Sequence, residues 1–418
     1  MRSFVGLAAL ICCGLASRAP AGDWPQILGP QRNGQADGET LQPWPESGLK
    51  TLWTYELGQG YAGPAVADGR VVIFHRAGDS EQLDALDAKT GRSLWQVAFP
   101  ASYRGGIDSD TGPRCVPLIH AGCVYVFGAA GDLHSVELAS GKKRWSRQTY
   151  REYRGNAGYF GAGSSPIVVG DKLLVNVGGD KNAGIVAFSL ADGQTRWTAT
   201  AEKASYASPA LATVDGHQHV IFVTRLSVVS LNPEDGSVRF SFPFGQRGPT
   251  VNAATPLVFG QNLFLTANYG VGAKSVTIGA TDAAPVWASD ESLSSQYASP
   301  VYAAGYLYGI HGREDVGVPD LRCVEAQTGK VQWSETRFGT AHLILVREQL
   351  LVFAVDGRLV LAKASPRGFQ TLAAAKISEA VTRALPALAD GRLYFRENAN
   401  GAGTLRCLQL PNVASGGR

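Results

Sequence analysis

The chain has 418 residues, of which 45% are hydrophobic and 17% charged, and it contains 50 glycines, 21 prolines and one methionine. This turn-rich composition excludes a disordered or fibrous protein and favours β structure. The formal net charge is only +3, and the basic residues are scattered along the chain. Because a nucleic-acid-binding protein needs a basic stripe, no nucleic acid is expected as a partner.

The first residues have the features of a signal peptide. Arg2 precedes an apolar run over 4–16, and Ala19 and Ala21 form a small-x-small cleavage site. We therefore predict a signal peptide over 1–21, cleaved after Ala19 or Ala21, and an exported protein that is periplasmic or extracellular. Neither this run nor any later segment reaches the ~20 apolar residues of a spanning helix, so no transmembrane helix is expected.

The cysteines fall into two groups. Cys12 and Cys13 lie in the leader, but the preceding Ile11 is not the small residue expected ahead of a lipidated cysteine, which argues against a lipid anchor. The other four are Cys115, Cys123, Cys323 and Cys407. An exported protein could oxidise them, but their spacing requires no bridge, so the sequence leaves their disulfide status open.

An internal repeat is the strongest signal in the sequence. Residues 85–95 read as a strand, a tight turn at Gly91 and a second strand that reaches Trp95. Similar segments recur at 136–145, 188–197, 231–240, 281–287 and 324–333. The spacing is typical of a four-stranded antiparallel propeller blade and too long for most solenoids. We expect one aromatic residue per repeat to pack between adjacent blades: Trp53, Trp95, Trp145, Trp197, Phe240, Trp287, Trp333 and, in a degenerate unit over 350–376, Phe369.

The repeats predict an all-β, eight-bladed β-propeller. The last unit, 384–410, stops after its third strand, and the segment 49–57 around Trp53 resembles a missing fourth strand. Pairing the two ends would close the ring and remove exposed sheet edges. The predicted organisation is a signal peptide (1–21), an N-terminal lead-in segment (22–48), the propeller (49–412) and a flexible tail (413–418).

Residues 85–95 closely resemble the repeat of the PQQ-like propeller family, and the resemblance covers about 24–411. The segment from Asp23 to Gln26 is similar to the lead-in of exported bacterial PQQ-like repeat proteins, often named after the lipoprotein subunit of the outer-membrane β-barrel assembly machinery. The family's enzymes hold a quinone and Ca²⁺ over the central funnel, with an Asp base and, in several members, adjacent cysteines. Here the adjacent pair, Cys12 and Cys13, lies in the leader, and no residue matches the Asp base or the Ca²⁺ ligands.

Two long loops, 102–114 and 150–163, carry mixed polar and aromatic residues that suit a sugar, an anionic ligand or a protein loop. The alternative is that these loops are solvated or simply pack over the ring. The candidate ligand-binding residues are Tyr103, Arg104, Asp108, Asp110, Arg114, Arg151, Tyr153, Arg154, Tyr159 and Phe160. Asp108 and Asp110 could share a cation, but their segment matches no calcium loop, so no metal site is predicted.

Four further residues are weaker catalytic candidates. His311, Arg313 and Glu314 lie within a few positions of one another, between two strands of the sixth blade, where a surface salt-bridge turn is the alternative. His342 replaces a Ser-Pro or Thr-Pro step near the axis and could face the funnel, although a hydrogen-bonded core histidine is the simpler interpretation.

The leading hypothesis is an exported, non-catalytic, monomeric propeller that needs no cofactor and binds a protein partner or an envelope or extracellular polysaccharide through its loops. One alternative is a quinoprotein oxidoreductase that acts on alcohols or sugars with PQQ and Ca²⁺, as the resemblance implies. A second alternative is a glycan-binding or glycan-active protein.

Overall fold

The computed structural model describes residues 22–45 and 48–411 and forms an eight-bladed ring. The strand β1 (Lys50–Leu57) comes first. Blades one to three contain β2 (Ala65–Ala67), β3 (Arg70–Ala77), β4 (Ser80–Asp87), β5 (Ser93–Pro100), β6 (Leu118–His120), β7 (Cys123–Phe127), β8 (Asp132–Glu137), β9 (Lys143–Gln148), β10 (Ile167–Val169), β11 (Lys172–Asn176), β12 (Ile185–Ser189) and β13 (Thr195–Ala199). A short helix, α1 (Thr149–Tyr153), follows β9.

Blades four and five contain β14 (Ala210–Val214), β15 (His217–Val223), β16 (Ser227–Leu231), β17 (Val238–Pro243), β18 (Leu257–Phe259), β19 (Asn262–Ala267), β20 (Gly272–Ile278) and β21 (Ala283–Ser289). Blades six and seven contain β22 (Val301–Ala303), β23 (Tyr306–His311), β24 (Asp320–Glu325), β25 (Val331–Glu335), β26 (Ala341–Val346), β27 (Gln349–Ala354), β28 (Arg358–Lys363) and β29 (Thr371–Lys376). Blade eight contains β30 (Ala387–Ala389), β31 (Arg392–Ala399) and β32 (Ala402–Gln409).

The ring is closed as the sequence predicts. β1 pairs antiparallel with β32, placing Trp53 opposite Cys407, and so supplies the fourth strand of blade eight. Every sheet is a four-stranded antiparallel blade running from an inner to an outer strand. Loops between blades and loops between second and third strands therefore share one face, called here the funnel face. The tight turns form the opposite face.

Six tryptophans of the outer strands connect neighbouring blades in the same way. Each indole Nε1–H donates to a main-chain carbonyl of the next blade at 2.8–3.2 Å. The pairs are Trp53 with Ala88, Trp95 with Leu138, Trp145 with Leu190, Trp197 with Pro233, Trp287 with Ala326 and Trp333 with Ser365. These contacts satisfy a buried polar group while the ring fills the space between blades.

In blade seven the aromatic residue comes from the turn before the outer strand. Ala373, opposite Leu361, occupies the position that tryptophan holds in other blades, and Phe369 precedes the strand. Phe369 instead packs on Trp333 of blade six, with ring centroids 5.7 Å apart, and on Phe338 at 5.8 Å. Phe369 therefore packs between blades six and seven, whereas Ala373 packs against the cluster shared with blade eight.

The lead-in segment runs along the inside of the ring. Trp24 pairs with Val66 of blade one, and Gln35 pairs with Leu345 of blade seven. Glu39 accepts a hydrogen bond from the main-chain N–H of Gly391 in blade eight at 3.1 Å. The predicted signal peptide and tail lie outside the described residues. Within the described ranges, no helix has the length and hydrophobicity needed to cross a membrane.

Candidate functional site

The funnel mouth is built from one repeated position. In seven blades a proline directly precedes the inner strand, and Leu343 takes its place in blade seven. The residue three positions before it is large and polar or aromatic in five blades. These residues are Tyr61, Arg114, Tyr206, Tyr297 and Arg383. The propeller repeat thus places them around one opening.

Tyr61 lies between two arginines at this mouth. The Arg114 guanidinium carbon is 5.4 Å from the Tyr61 ring centroid, and that of Arg383 is 5.5 Å from it. Arg114 also lies 5.8 Å from the ring of Phe160, which packs edge-on against Tyr206 at 5.6 Å. These cation–π and aromatic contacts link loops from five blade junctions into one cluster.

The carboxylates at the mouth all have partners. Glu314 accepts from Arg383 at 2.6 Å and from the Tyr297 hydroxyl at 2.9 Å. Asp110 accepts from the main-chain N–H groups of Gly60 and Gly112, both at 2.9 Å.

Asp108 is the third carboxylate at the mouth. It accepts from the main-chain N–H of Asp110 at 2.9 Å, and its Oδ2 is 3.6 Å from Arg114. The opposite charges at the mouth therefore largely neutralise one another.

Two of the weaker catalytic candidates, Glu314 and His342, come together around Tyr297 and Arg383. His311 Nδ1 accepts from the main-chain N–H of Ser294 at 3.1 Å, and Arg313 pairs with Asp315. Burial lowers the pKa of His342, so the ring is neutral and its Nε2–H donates to the carbonyl of Arg383 at 2.8 Å. Of this group, Glu314 joins the charged cluster through its carboxylate, and His342 packs on it with its ring, whose centroid is 6.1 Å from that of Tyr297.

The ligand-binding candidates separate into two groups. Those at or near the mouth are Tyr103, Asp108, Asp110, Arg114, Tyr159 and Phe160. The other four candidates have no contact with the mouth cluster. The Arg104 guanidinium is 3.5 Å from the Asp79 carboxylate, and the Tyr153 hydroxyl bonds that of Thr195 on the outer strand. Arg151 and Arg154 are exposed.

Sequence reasoning missed Tyr61, Tyr206, Tyr297 and Arg383. The signal was present, because each lies at the same offset before an inner strand as Arg114. The sequence analysis selected residues of the long loops, but the short connections between blades also place their residues at the mouth.

Beneath the mouth, the chain's own lead-in blocks the channel. Ile27 and Leu28 form an apolar layer with Val116, and Leu385 packs against it. Arg32 is 4% exposed and donates to the carbonyls of Ser165, Pro166 and Pro209, where two inner strands begin.

These uncharged partners hold the guanidinium in the axis. Burial lowers the pKa of Arg32 to about 9. This value is still above neutral pH, so the guanidinium stays protonated there.

Comparison with known proteins places this architecture in a family. The family described as outer membrane protein assembly factor BamB matches residues 37–163 and 158–335, more than half of the chain. The chain belongs to this family of PQQ-like propellers. The prediction made from the repeat is confirmed.

Individual relatives fall into two kinds. The outer membrane protein assembly factor BamB of Burkholderia pseudomallei is 26% identical over 154 residues, covering 36% of this chain and 33% of that protein. The quinohemoprotein alcohol dehydrogenase of Comamonas testosteroni is 26% identical over 196 residues, covering 44% and 26%. The chain thus matches about a third or less of the length of these relatives.

Solved structures share the fold with both kinds. BamB from Moraxella catarrhalis has a TM-score of 0.62 at 17% identity, covering 87% of this chain and 100% of that one. A europium-containing methanol dehydrogenase has a TM-score of 0.70 at 11% identity, covering 93% and 98%. At these identities the likeness shows the propeller and not the activity.

The residues at the mouth do not fit a quinone with calcium. Ca²⁺ takes six to eight oxygen ligands, several of them carboxylates. Among the described residues no three His, Cys, Asp or Glu side chains gather as metal ligands, and the carboxylates at the mouth already have partners. Cys115 is single, and burial raises the pKa of its thiol to about 11.

Proposed function

We propose that this protein is an exported, non-catalytic propeller that binds a protein partner through its funnel face. The observation that carries the proposal is a pair of strongly exposed apolar side chains on loops of that face: Ile107 is 69% exposed and Val316 is 71% exposed. Val318 and Val381 lie on the same face and are 45% exposed. Apolar side chains that protrude beside a polar and aromatic cluster are typical of a protein interface.

The chemistry of the mouth supports binding rather than turnover. Its carboxylates are paired, and the channel beneath it is blocked by Arg32 and the residues around it. The family's description as an outer membrane protein assembly factor supports a partner from that machinery, and export through the predicted leader would bring the chain to the same compartment.

The proposal is tested by photo-cross-linking in the native cell. A photoreactive amino acid is placed at position 107 or 316 and, as a control, at Val238, which is 53% exposed but lies on the outer strand β17. We expect one partner to cross-link from 107 and 316 and not from 238. Val316→Asp should weaken co-purification of that partner about tenfold, the equivalent of about 1.4 kcal/mol. Equal cross-linking from 238 would contradict the proposal.

A second candidate is a quinoprotein oxidoreductase that acts on alcohols or sugars. The match to the Comamonas testosteroni alcohol dehydrogenase favours it. The paired carboxylates and the separate, buried Cys115 at the mouth count against it. We rank it second for that reason.

A further inference from the structure

A cavity of about 230 Å³ lies on the funnel face among blades two, three and four. Its wall combines the side chains of Tyr150, Tyr159 and Tyr206 with the amides of Asn176 and Asn252. This volume far exceeds the ~30 Å³ share of one liquid water and falls below the ~300 Å³ of the smallest drug-sized pockets. It has room for a ligand about the size of one sugar ring.

Asn176 is a polar exception at a position that is apolar in most blades. The register of the inner and second strands aligns it with Phe74, Phe127, Val223, Ile310 and Phe353. Blades five and eight carry Thr266 and Arg396 there, and these side chains donate to the carbonyls of Leu293 and Gly58. An amide in place of a large apolar side chain opens space and brings polar atoms to its edge.

Three buried polar atoms at this cavity have no hydrogen-bond partner within the described chain. Asn176 is 2% exposed, and neither its Oδ1 nor its Nδ2 is paired. Ser164 is 3% exposed and its Oγ is also unpaired. Because buried polar groups are nearly always satisfied, three such atoms in one cavity point to a ligand that supplies partners.

The charged groups around the cavity already have partners within the chain. None of the described residues that line it is a carboxylate. The ammonium group of Lys203 is 2.7 Å from Asp180, and Arg225 donates to the carbonyls of Gln246 and Gly248. The groups left to bind a ligand are therefore a carboxamide and a hydroxyl, which both donate and accept hydrogen bonds.

We propose that this cavity binds one uncharged pyranose ring of a saccharide. The Asn176 amide and the Ser164 hydroxyl bond to adjacent ring hydroxyls, and the tyrosines contact the apolar C–H surfaces of the sugar. This ligand site goes beyond the docking of a protein partner, and it does not include Ile107 or Val316.

The test uses saturation-transfer-difference NMR on the purified exported protein. The probes are D-glucose, D-galactose and N-acetyl-D-glucosamine, with D-glucuronate as the charged comparison, at concentrations up to about 10 mM, ten times a Kd of about 1 mM. We expect at least one neutral sugar to bind saturably. Binding of glucuronate alone, or of none of the neutral sugars, would overturn the proposal.

Three variants locate the site. Asn176→Leu keeps a similar volume and removes both unpaired atoms, so we expect sugar binding to fall at least about tenfold while the Tm stays level or rises. Ser164→Ala should weaken binding about two- to tenfold.

Ser292→Ala is the matched control. It makes the same change at another buried, unpaired hydroxyl outside the cavity, and it should leave binding unchanged. Wild-type affinity in Asn176→Leu would contradict the site. If Asn176→Leu fails to fold, equal sugar binding by Ser164→Ala and Ser292→Ala would contradict the site instead.

Discussion

The Nε atom of Arg32 lies 2.8 Å from the carbonyl oxygen of Pro209, although 177 positions separate the two residues in the chain. The same guanidinium donates to Pro166 at 2.9 Å and to Ser165 at 3.1 Å. The lead-in is therefore part of the propeller's interior, and Arg32 ties it to blades three and four.

Removing this guanidinium should destabilise the whole ring. Arg32→Ala leaves three buried carbonyls without their donor, and hydrogen bonds to charged groups contribute about 1.5–3 kcal/mol each. We expect the free energy of unfolding to fall by at least about 3 kcal/mol, measured by urea denaturation. Gln31→Ala, at the exposed neighbouring position, is the control and should change it by less than about 0.5 kcal/mol. Equal effects would show that the lead-in is not held by Arg32.

The buried Glu81 should make stability fall as pH rises toward neutrality. Burial raises its pKa from the usual 4.5 to about 7, with Asp132 also raising it, although the Ala129 N–H and Arg76 lower it. Between these pH values the folded chain holds a proton that the unfolded chain has lost, so stability present below pH 4.5 is lost by pH 7.

Glu81→Gln isolates this effect. The amide oxygen can still accept from Ala129, whose N–H is 2.7 Å from the Glu81 carboxylate. Relative to wild type, the variant should gain on the order of 3 kcal/mol between pH 4.5 and pH 8, followed by denaturation at each pH. A difference that does not vary with pH would contradict the assignment.

Two glycines separate the cost of backbone strain from that of blade packing. Gly193 and Gly170 both have positive φ, 72° and 59°. A Cβ on Gly193 would lie 2.7 Å from Trp145, whereas none of the atoms around Gly170 comes within 4 Å.

Gly170→Ala should therefore cost only about 1–2 kcal/mol of strain. Gly193→Ala should cost clearly more, because Trp145 must shift from its contact with blade three. Denaturation curves of the two variants give the comparison, and equal losses would show that the Trp145 contact contributes little.

The four cysteines of the described chain should behave as unreactive thiols. Cys115, Cys123, Cys323 and Cys407 are free and buried, and burial raises the pKa of the Cys323 and Cys407 thiols to about 12. A thiol-specific reagent should label none of these four cysteines in the folded protein and all four after denaturation. Rapid labelling of the folded protein, or fewer than four labelled thiols after denaturation, would contradict the assignment of four free, buried cysteines.

The repeat made the ring predictable. Trp53 and Trp95 are spaced like the other blade tryptophans, and this regularity carried both the blade number and the closure by β1. Phe369 packs on Trp333 from the turn before β29, and Ala373 holds the aromatic position of that strand, because the repeat has degenerated in blade seven. The sequence of blade seven no longer shows the repeat pattern, so it cannot indicate which residue holds the aromatic position.

The interior of the channel could not be predicted in this way. Arg32 binds main-chain carbonyls, which every residue possesses, so nothing in the sequence marks its partners. Asn176 is likewise unremarkable in the sequence, and its meaning depends on the strand register that aligns it with phenylalanines in other blades. The mouth residues Tyr61 and Tyr206 were recoverable, since they share one offset in the repeat.

The most direct measurement for a binding propeller without a quinone is titration of the purified mature protein with PQQ and Ca²⁺, followed by absorbance and by dye reduction with alcohols and sugars. Because Glu314 and Asp110 are already paired and Arg32 blocks the channel below them, we expect no bound chromophore, no calcium-dependent rise in Tm and no dye reduction. Stoichiometric PQQ uptake with substrate-dependent dye reduction would contradict the account and establish the oxidoreductase instead.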